Sequence, residues 1–202
     1  MLFNPGKVRD FMPHFSIDGN DLELVEENKL LGVIVSSNLS WSSNVEYIVK
    51  RCNSKLWILR LHKKHGADNE DLKEVYVSQI RSILEFAAPV SHSSITGEDR
   101  LKLERLQKSA LHIILSNSYK SFSSARKALD LETLHTRRQK LCKKFARKSF
   151  KNEKFCKWFK LNAKRTKTRN KQPKLCRVVS RTKRFENSPI SYLTNLLNKE
   201  AD

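Results

Sequence analysis

The chain has 202 residues, 39% hydrophobic and 30% charged, with five glycines and five prolines, which suits one domain or one and a half around a modest core. Its formal charge of +19 sits in one half: residues 1–90 hold 11 Lys/Arg against 12 Asp/Glu, and residues 91–202 hold 29 against 9. No run approaches the roughly 18 apolar residues of a membrane span, the N-terminus lacks the basic-then-apolar layout of a signal peptide, and Cys52, Cys142, Cys156 and Cys176 form no Cys-x-x-Cys pair for zinc.

Those exclusions fit a cytosolic or nuclear protein with reduced thiols. The lopsided charge points to a polyanionic partner, nucleic acid before an acidic membrane surface. The plainer reading is a solvated basic tail.

In chain order, the segment from His14 to Leu24 alternates apolar and polar residues around a turn at Gly19-Asn20, the pattern of a β-hairpin. Leu30-Leu31-Gly32-Val33-Ile34-Val35 lacks alternation and predicts a strand buried on both faces, with Gly32 as a bulge or a point of close backbone approach. Ser43 and Glu46 have capping-box spacing at a helix start. After them Val45, Ile48, Val49, Cys52, Leu56 and Leu59 line one face, while Lys50, Arg51 and Lys55 project elsewhere. Gly66 predicts the stop.

A second helix is expected from about Asp68, burying Leu72, Val75, Tyr76, Ile80, Ile83 and Leu84, and ending at an extended Ala88-Pro89-Val90. Thr96 and Asp99 open a third, with Leu103, Leu106, Ala110, Ile113 and Ile114 inward. Glu98–Lys102 and Glu104–Lys108 are its four-residue ion pairs.

A fourth helix is expected over residues 132–151. At 100° per residue, Leu134, Leu141, Cys142, Phe145 and Ala146 fall within an arc of about 140°. Arg137, Lys140, Lys143, Lys144, Arg147, Lys148 and Lys151 fill the opposite arc without an acidic residue. A solvated helix usually mixes signs to limit self-repulsion, so this face implies a polyanion; a Lys-rich surface without a ligand is the plainer alternative. Arg138 falls inside the apolar arc. Its stem packs on the core with the guanidinium paired to a carboxylate, or it is a buried nucleic-acid contact.

Beyond residue 151 the periodicity fades. Phe155, Trp158 and Phe159 interleave with Lys154, Lys157 and Lys160, which suits stacking on unpaired bases beside phosphate contacts, or equally a cap on the helical core. The stretch "KRTKTRNKQPK" reads as disordered in isolation and as a nuclear address. Ser188-Pro189 starts a short helix carrying Ile190, Leu193 and Leu197 that docks back. The sum is an α+β chain: a short N-terminal hairpin and strand unit (1–41), a mainly helical bundle (42–151) and a basic tail with a terminal helix (152–202).

Taken together, "KLLGVIVSSNLSWSSNVEYIVKRCNSKLWILR", "VYVSQIRSILEFAAPV", "GEDRLKLERLQKSALHIIL" and "LETLHTRRQKLCKKFARK" resemble, in order, the carboxyl-terminal part of reverse transcriptases from non-LTR retrotransposons of the jockey-like group. The resemblance implies that the strand with Leu30, Leu31, Gly32 and Val33 is the primer-grip edge of a polymerase palm. The helices after it would form the thumb that lies against the template–primer duplex. It also implies a close approach of Gly32 to the primer end, and phosphate contacts from Lys140, Lys143, Lys144, Arg147, Lys148 and Lys151.

The family's metal-binding carboxylates belong to an upstream aromatic-Ala-Asp-Asp motif and an earlier palm strand. This chain contains no Asp-Asp pair. Two-metal phosphoryl transfer requires such carboxylates, so Mg²⁺ is implied only for an intact polymerase, and Met1 reads as an internal methionine of a longer frame. Ser91 stands where the family tends to place Trp, and "LSNSY" replaces a more acidic loop; both read as drift. Three uses stay open: a nucleic-acid-binding fragment unable to polymerise, a thumb acting in trans with a palm-containing polymerase chain, and a transposon relic without selected function. No nucleophile elbow, phosphate loop or paired metal-ligand helix marks another enzyme class.

Overall fold

The computed structural model describes residues 1, 3, 14–161, 175–176 and 178–200. The fold is α+β: two small antiparallel hairpins followed by packed helices. The stretch "KRTKTRNKQPK" lies outside the described residues.

β1 (Ser16–Ile17) and β2 (Asn20–Asp21) pair Ser16 with Asp21 and Ile17 with Asn20. The turn residues are Asp18 and Gly19, both at positive φ (52° and 77°), one residue earlier than the Gly-Asn turn expected. Such two-residue turns match the right-handed twist of the strands they join.

The same device corrects the reading of Leu30–Val35 as one continuous strand. β3 (Glu27–Leu30) and β4 (Val33–Ser36) are two arms of a hairpin, turned by Leu31 (φ 48°) and Gly32 (φ 86°). Leu30 and Leu31 are 64% and 89% exposed rather than buried. Side chains anchor the arms: the Ile34 N–H donates to Asn44 Oδ1 at 3.0 Å, and Glu27 accepts from the hydroxyls of Ser36 and Ser43.

α1 (Ser42–Lys64) buries Val45, Ile48, Cys52, Leu56 and Leu59 along one stripe. Ser43 and Glu46 make no capping box, because the helix begins at Ser42 and Ser43 already lies inside its first turn. The Ser43 hydroxyl serves Glu27 and Glu46 faces Lys102 at 4.0 Å. Gly66 (φ 88°) follows the helix end, as its freedom at positive φ predicts.

α2 (Asn69–Val75), a π-helical stretch (Tyr76–Arg81) and α3 (Ser82–Glu85) run on without a break. The Asp68 carboxylate caps the start by accepting the Asp71 N–H at 2.8 Å. Leu72, Tyr76, Ile80 and Leu84 recur every four residues and are all fully buried. On an ideal helix a four-residue repeat drifts by about 40° per step. A wider π turn rotates less per residue and brings the stripe back onto the core.

The expected extended end at Ala88-Pro89-Val90 is instead a break one step earlier, at Phe86 (ψ 133°) and Ala87 (φ 49°), and then α4 (Ala88–Ser91). Pro89 lies in the first turn of α4, where a missing N–H costs nothing.

α5 (Gly97–Leu115) starts at a Thr96 cap and runs parallel to α1: Ser42 Oγ donates to Asp99 Oδ2 (3.0 Å) near their starts, and Lys63 Nζ donates to the Ile114 carbonyl (2.9 Å) near their ends. Leu103, Leu106, Ala110, Leu111 and Ile114 complete the main core with the α1 and α2–α3 stripes. α6 (Phe122–Ala128) is capped reciprocally by Ser121 and Ser124.

α7 (Leu134–Lys151) leads to a 3₁₀ turn (Cys156–Trp158), α8 (Lys183–Glu186) and α9 (Pro189–Glu200). α9 docks on α7. Leu193 and Leu196 join Cys142, Ala146, Phe159 and Leu175 in a second core, and Asn198 bonds both the N–H and the carbonyl of Leu175 (2.8 and 3.1 Å). Much of the expected tail therefore belongs to the folded body. The four cysteines are unpaired; burial raises the thiols of Cys52 and Cys142 to about 12 and about 11, as suits small core residues rather than nucleophiles. Among the described residues no helix is long and apolar enough to cross a membrane.

Candidate nucleic-acid interface

α7 is held by groups that its own periodicity does not reveal. The first N–H groups of a helix have no partner within it. Here Thr133 Oγ1 accepts from Thr136 (3.1 Å), Gln107 Oε1 from Leu134 (2.9 Å), and Glu104 Oε1 from His135 (2.7 Å). Gln107 also donates to the Glu132 carbonyl at 2.8 Å. Glu104 thus serves the start of α7, not the ion pair with Lys108 expected from spacing.

Arg138 is only 2% exposed. Among the described residues no carboxylate pairs with it, where the sequence offers such a pair as one of two readings. Its guanidinium donates to the Leu84 carbonyl and, at 3.0 Å, to Ser91 Oγ. Burial lowers its pKa from the ordinary arginine value. Ser91, 2% exposed, is therefore a partner to a buried cation.

Two histidines adjoin this anchor. The rings of His92 and His135 lie 5.0 Å apart, and Tyr192 from α9 meets His92 edge-on at 5.7 Å. Burial first, then the Arg138 charge, pushes the His92 pKa down to about 3, and burial also lowers that of His135.

The outward face of α7 differs from the seven-cation wheel. Arg137 is held bidentately by Glu85 of α3, with Nε and Nη2 at 2.9 and 3.1 Å from its two oxygens, a contact that raises the Arg137 pKa. Lys140 pairs with Glu132. Both cations are thus already matched by carboxylates lying outside the helix. Lys143 and Arg147 also engage other groups. Lys144, Lys148 and Lys151 stand exposed within about 60° of one another around the axis, and α7 itself carries no Asp or Glu. Phe145, inside the apolar arc by angle, is 39% exposed.

Only part of the aromatic cluster caps the helical core. Phe159 is buried and meets Phe150 edge-on at 6.1 Å, sealing the second core. Phe155 and Trp158, each 40% exposed, lean on one another at 4.9 Å. Lys154 and Lys157 are exposed beside them. Trp158 therefore sits on the surface with its neighbouring lysines, next to the end of α7.

Gly32 stands at the β3–β4 turn, where a Cβ would lie 3.3 Å from the Phe86 ring. A packed side chain and a positive φ account for this glycine. Gly32→Ala is expected to cost about 1–2 kcal/mol in a denaturant titration, since a non-glycine residue at positive φ is strained and Phe86 must yield; an unchanged midpoint would show that the turn relaxes freely. Among the described residues no group of three or more His, Cys, Asp or Glu is placed to hold a metal ion. Comparison with known proteins yields no matching family model, no matching curated protein and no matching solved structure.

Proposed function

We propose that this chain binds nucleic acid as the thumb-like part of a non-LTR retrotransposon reverse transcriptase, and that it does not polymerise by itself. The observation that carries the reading is the exposed trio of Lys144, Lys148 and Lys151 on a helix without acidic residues, whose other face is buried. Lysine ammonium groups on one helix face meet successive phosphates and carry no base information, so the expected ligand is a duplex of weak sequence preference. The carboxylates for two-metal chemistry would lie in a separate palm, consistent with the missing Asp-Asp pair.

Because Glu85 and Glu132 already hold Arg137 and Lys140, the salt dependence is expected to be milder than seven free cations would give. Three to five phosphate contacts correspond to a slope of log affinity against log salt of about −3 to −5, where the full face would give about −6. The test is fluorescence anisotropy with a labelled RNA–DNA primer–template over a salt series. The triple variant Lys144→Gln, Lys148→Gln, Lys151→Gln should flatten the slope by about 3. An unchanged slope would remove α7 from the interface.

A further inference from the structure

Helix α1 has a second face that the main interface does not use. From Tyr47 to Ala67 the chain carries six Lys/Arg and no Asp or Glu. The core stripe of α1 is turned away from Trp57, which is 60% exposed at mid-helix, and Leu61, one turn on, is 39% exposed. Lys50, Trp57 and Lys64 are spaced by seven residues, so each is offset by about 20° from the one before and all three fall within about 40° of one another along about 21 Å of axis. Both lysines are exposed. Arg60 stands on the α5 side of this line, at an open cleft that it shares with Lys63, His112, Ile113, Ser116 and Asn117.

A large aromatic ring left in water between two lysines is the arrangement that unpaired bases recognise. The indole offers a face for stacking, and the ammonium groups meet the phosphates on either side. A duplex keeps its bases stacked on one another and cannot use such a ring. A membrane surface would ask for a wide apolar face, and α1 spends its own on the core. We propose that the Lys50–Trp57–Lys64 line of α1, with Leu61 and Arg60 beside it, is a binding track for single-stranded nucleic acid, distinct from the lysine face of α7. This extends the proposed function and rests on it.

The test uses the full chain with a labelled 15-nucleotide oligothymidylate, an abasic strand of the same length and charge, and a duplex. Trp57→Ala should keep the far-UV spectrum and melting temperature, because the side chain is mostly in water. It should weaken oligothymidylate binding about 5- to 150-fold, the range that base–aromatic stacking supplies. Binding to the abasic strand and the duplex should not change, and Trp57→Phe should retain most of the affinity. Equal affinity of wild type and Trp57→Ala for oligothymidylate would overturn the track, as would an equal loss on the abasic strand, or tighter binding to anionic vesicles than to oligothymidylate. If the duplex still binds through Lys144, Lys148 and Lys151 in those cases, only the track falls. If neither strand nor duplex binds at low salt, the proposed function falls with it.

Discussion

Arg138→Ala is expected to destabilise the chain by about 3–5 kcal/mol in equilibrium denaturation, the largest effect of any single substitution considered. Arg138 is the largest of the fully buried side chains. The last carbonyls of a helix have no partner within it, and Leu84 lies in the final turn of α3, just before the break at Phe86 and Ala87. Arg138 donates to that carbonyl and to Ser91 of α4, so one guanidinium ties α3 and α4 to α7. Alanine would leave a cavity, an unpaired carbonyl and an unpaired hydroxyl together.

Arg138→Met separates these causes. It keeps the packed stem and removes the buried charge, so its cost should be nearer 1–2 kcal/mol. Equal losses for the two variants would mean that the hydrogen bonds, not the packing, hold this junction. A loss below 1 kcal/mol in both would sink the whole account.

Acid is expected to loosen the same junction. His92 titrates at about 3 in the folded chain, below the ordinary value of 6.5, so the unfolded state takes up its proton first. Its contribution to stability is complete above about pH 6.5 and is lost as pH falls toward 3. The rate is about 1.4 kcal/mol per pH unit for one proton, or about 4–5 kcal/mol over the full range. The groups facing it reinforce that sign: Arg138 and His135 from α7 and Arg100 from α5 all oppose a second positive charge, and Tyr192 from α9 offers only a ring edge.

Because Tyr192 rests on His92, amide exchange in α9 should quicken as the pH drops. Denaturation of wild type and His92→Gln at pH 4 to 7 isolates the effect, since carboxylate titration is common to both. The wild-type slope should exceed the variant's by close to one proton between pH 4 and 6. Parallel slopes would show that His92 takes up its proton without unfolding cost.

Local rules in the amino-acid order account for much of this protein. Caps at Asp68 and Thr96, the glycine after α1, the inward stripes of α1 and α5, and the docking of α9 all follow from a 3.6-residue period and a few turn chemistries, whereas the α2–α3 stripe also needs the wider turn at Tyr76–Arg81. The α+β class and the charge confined to the second half were legible in the same way, because they need only near neighbours. The β3–β4 turn was harder: "LLGVIV" satisfies a buried-strand pattern as well as a turn, and only docking on α1 at Asn44 and on Phe86 decides between them.

The outward face of α7 was settled at longer range. Arg137 finds Glu85 across 52 positions, Arg138 finds Leu84 across 54, and Gln107 reaches Leu134 across 27. A helical wheel places a cation on a side of its helix and is silent about the carboxylate that another element brings to it. The sequence alone therefore determined that α7 presents a basic side. Only the tertiary structure decided which of those cations are matched within the protein, because ion pairs and buried hydrogen bonds depend on distance in space and not on separation along the chain.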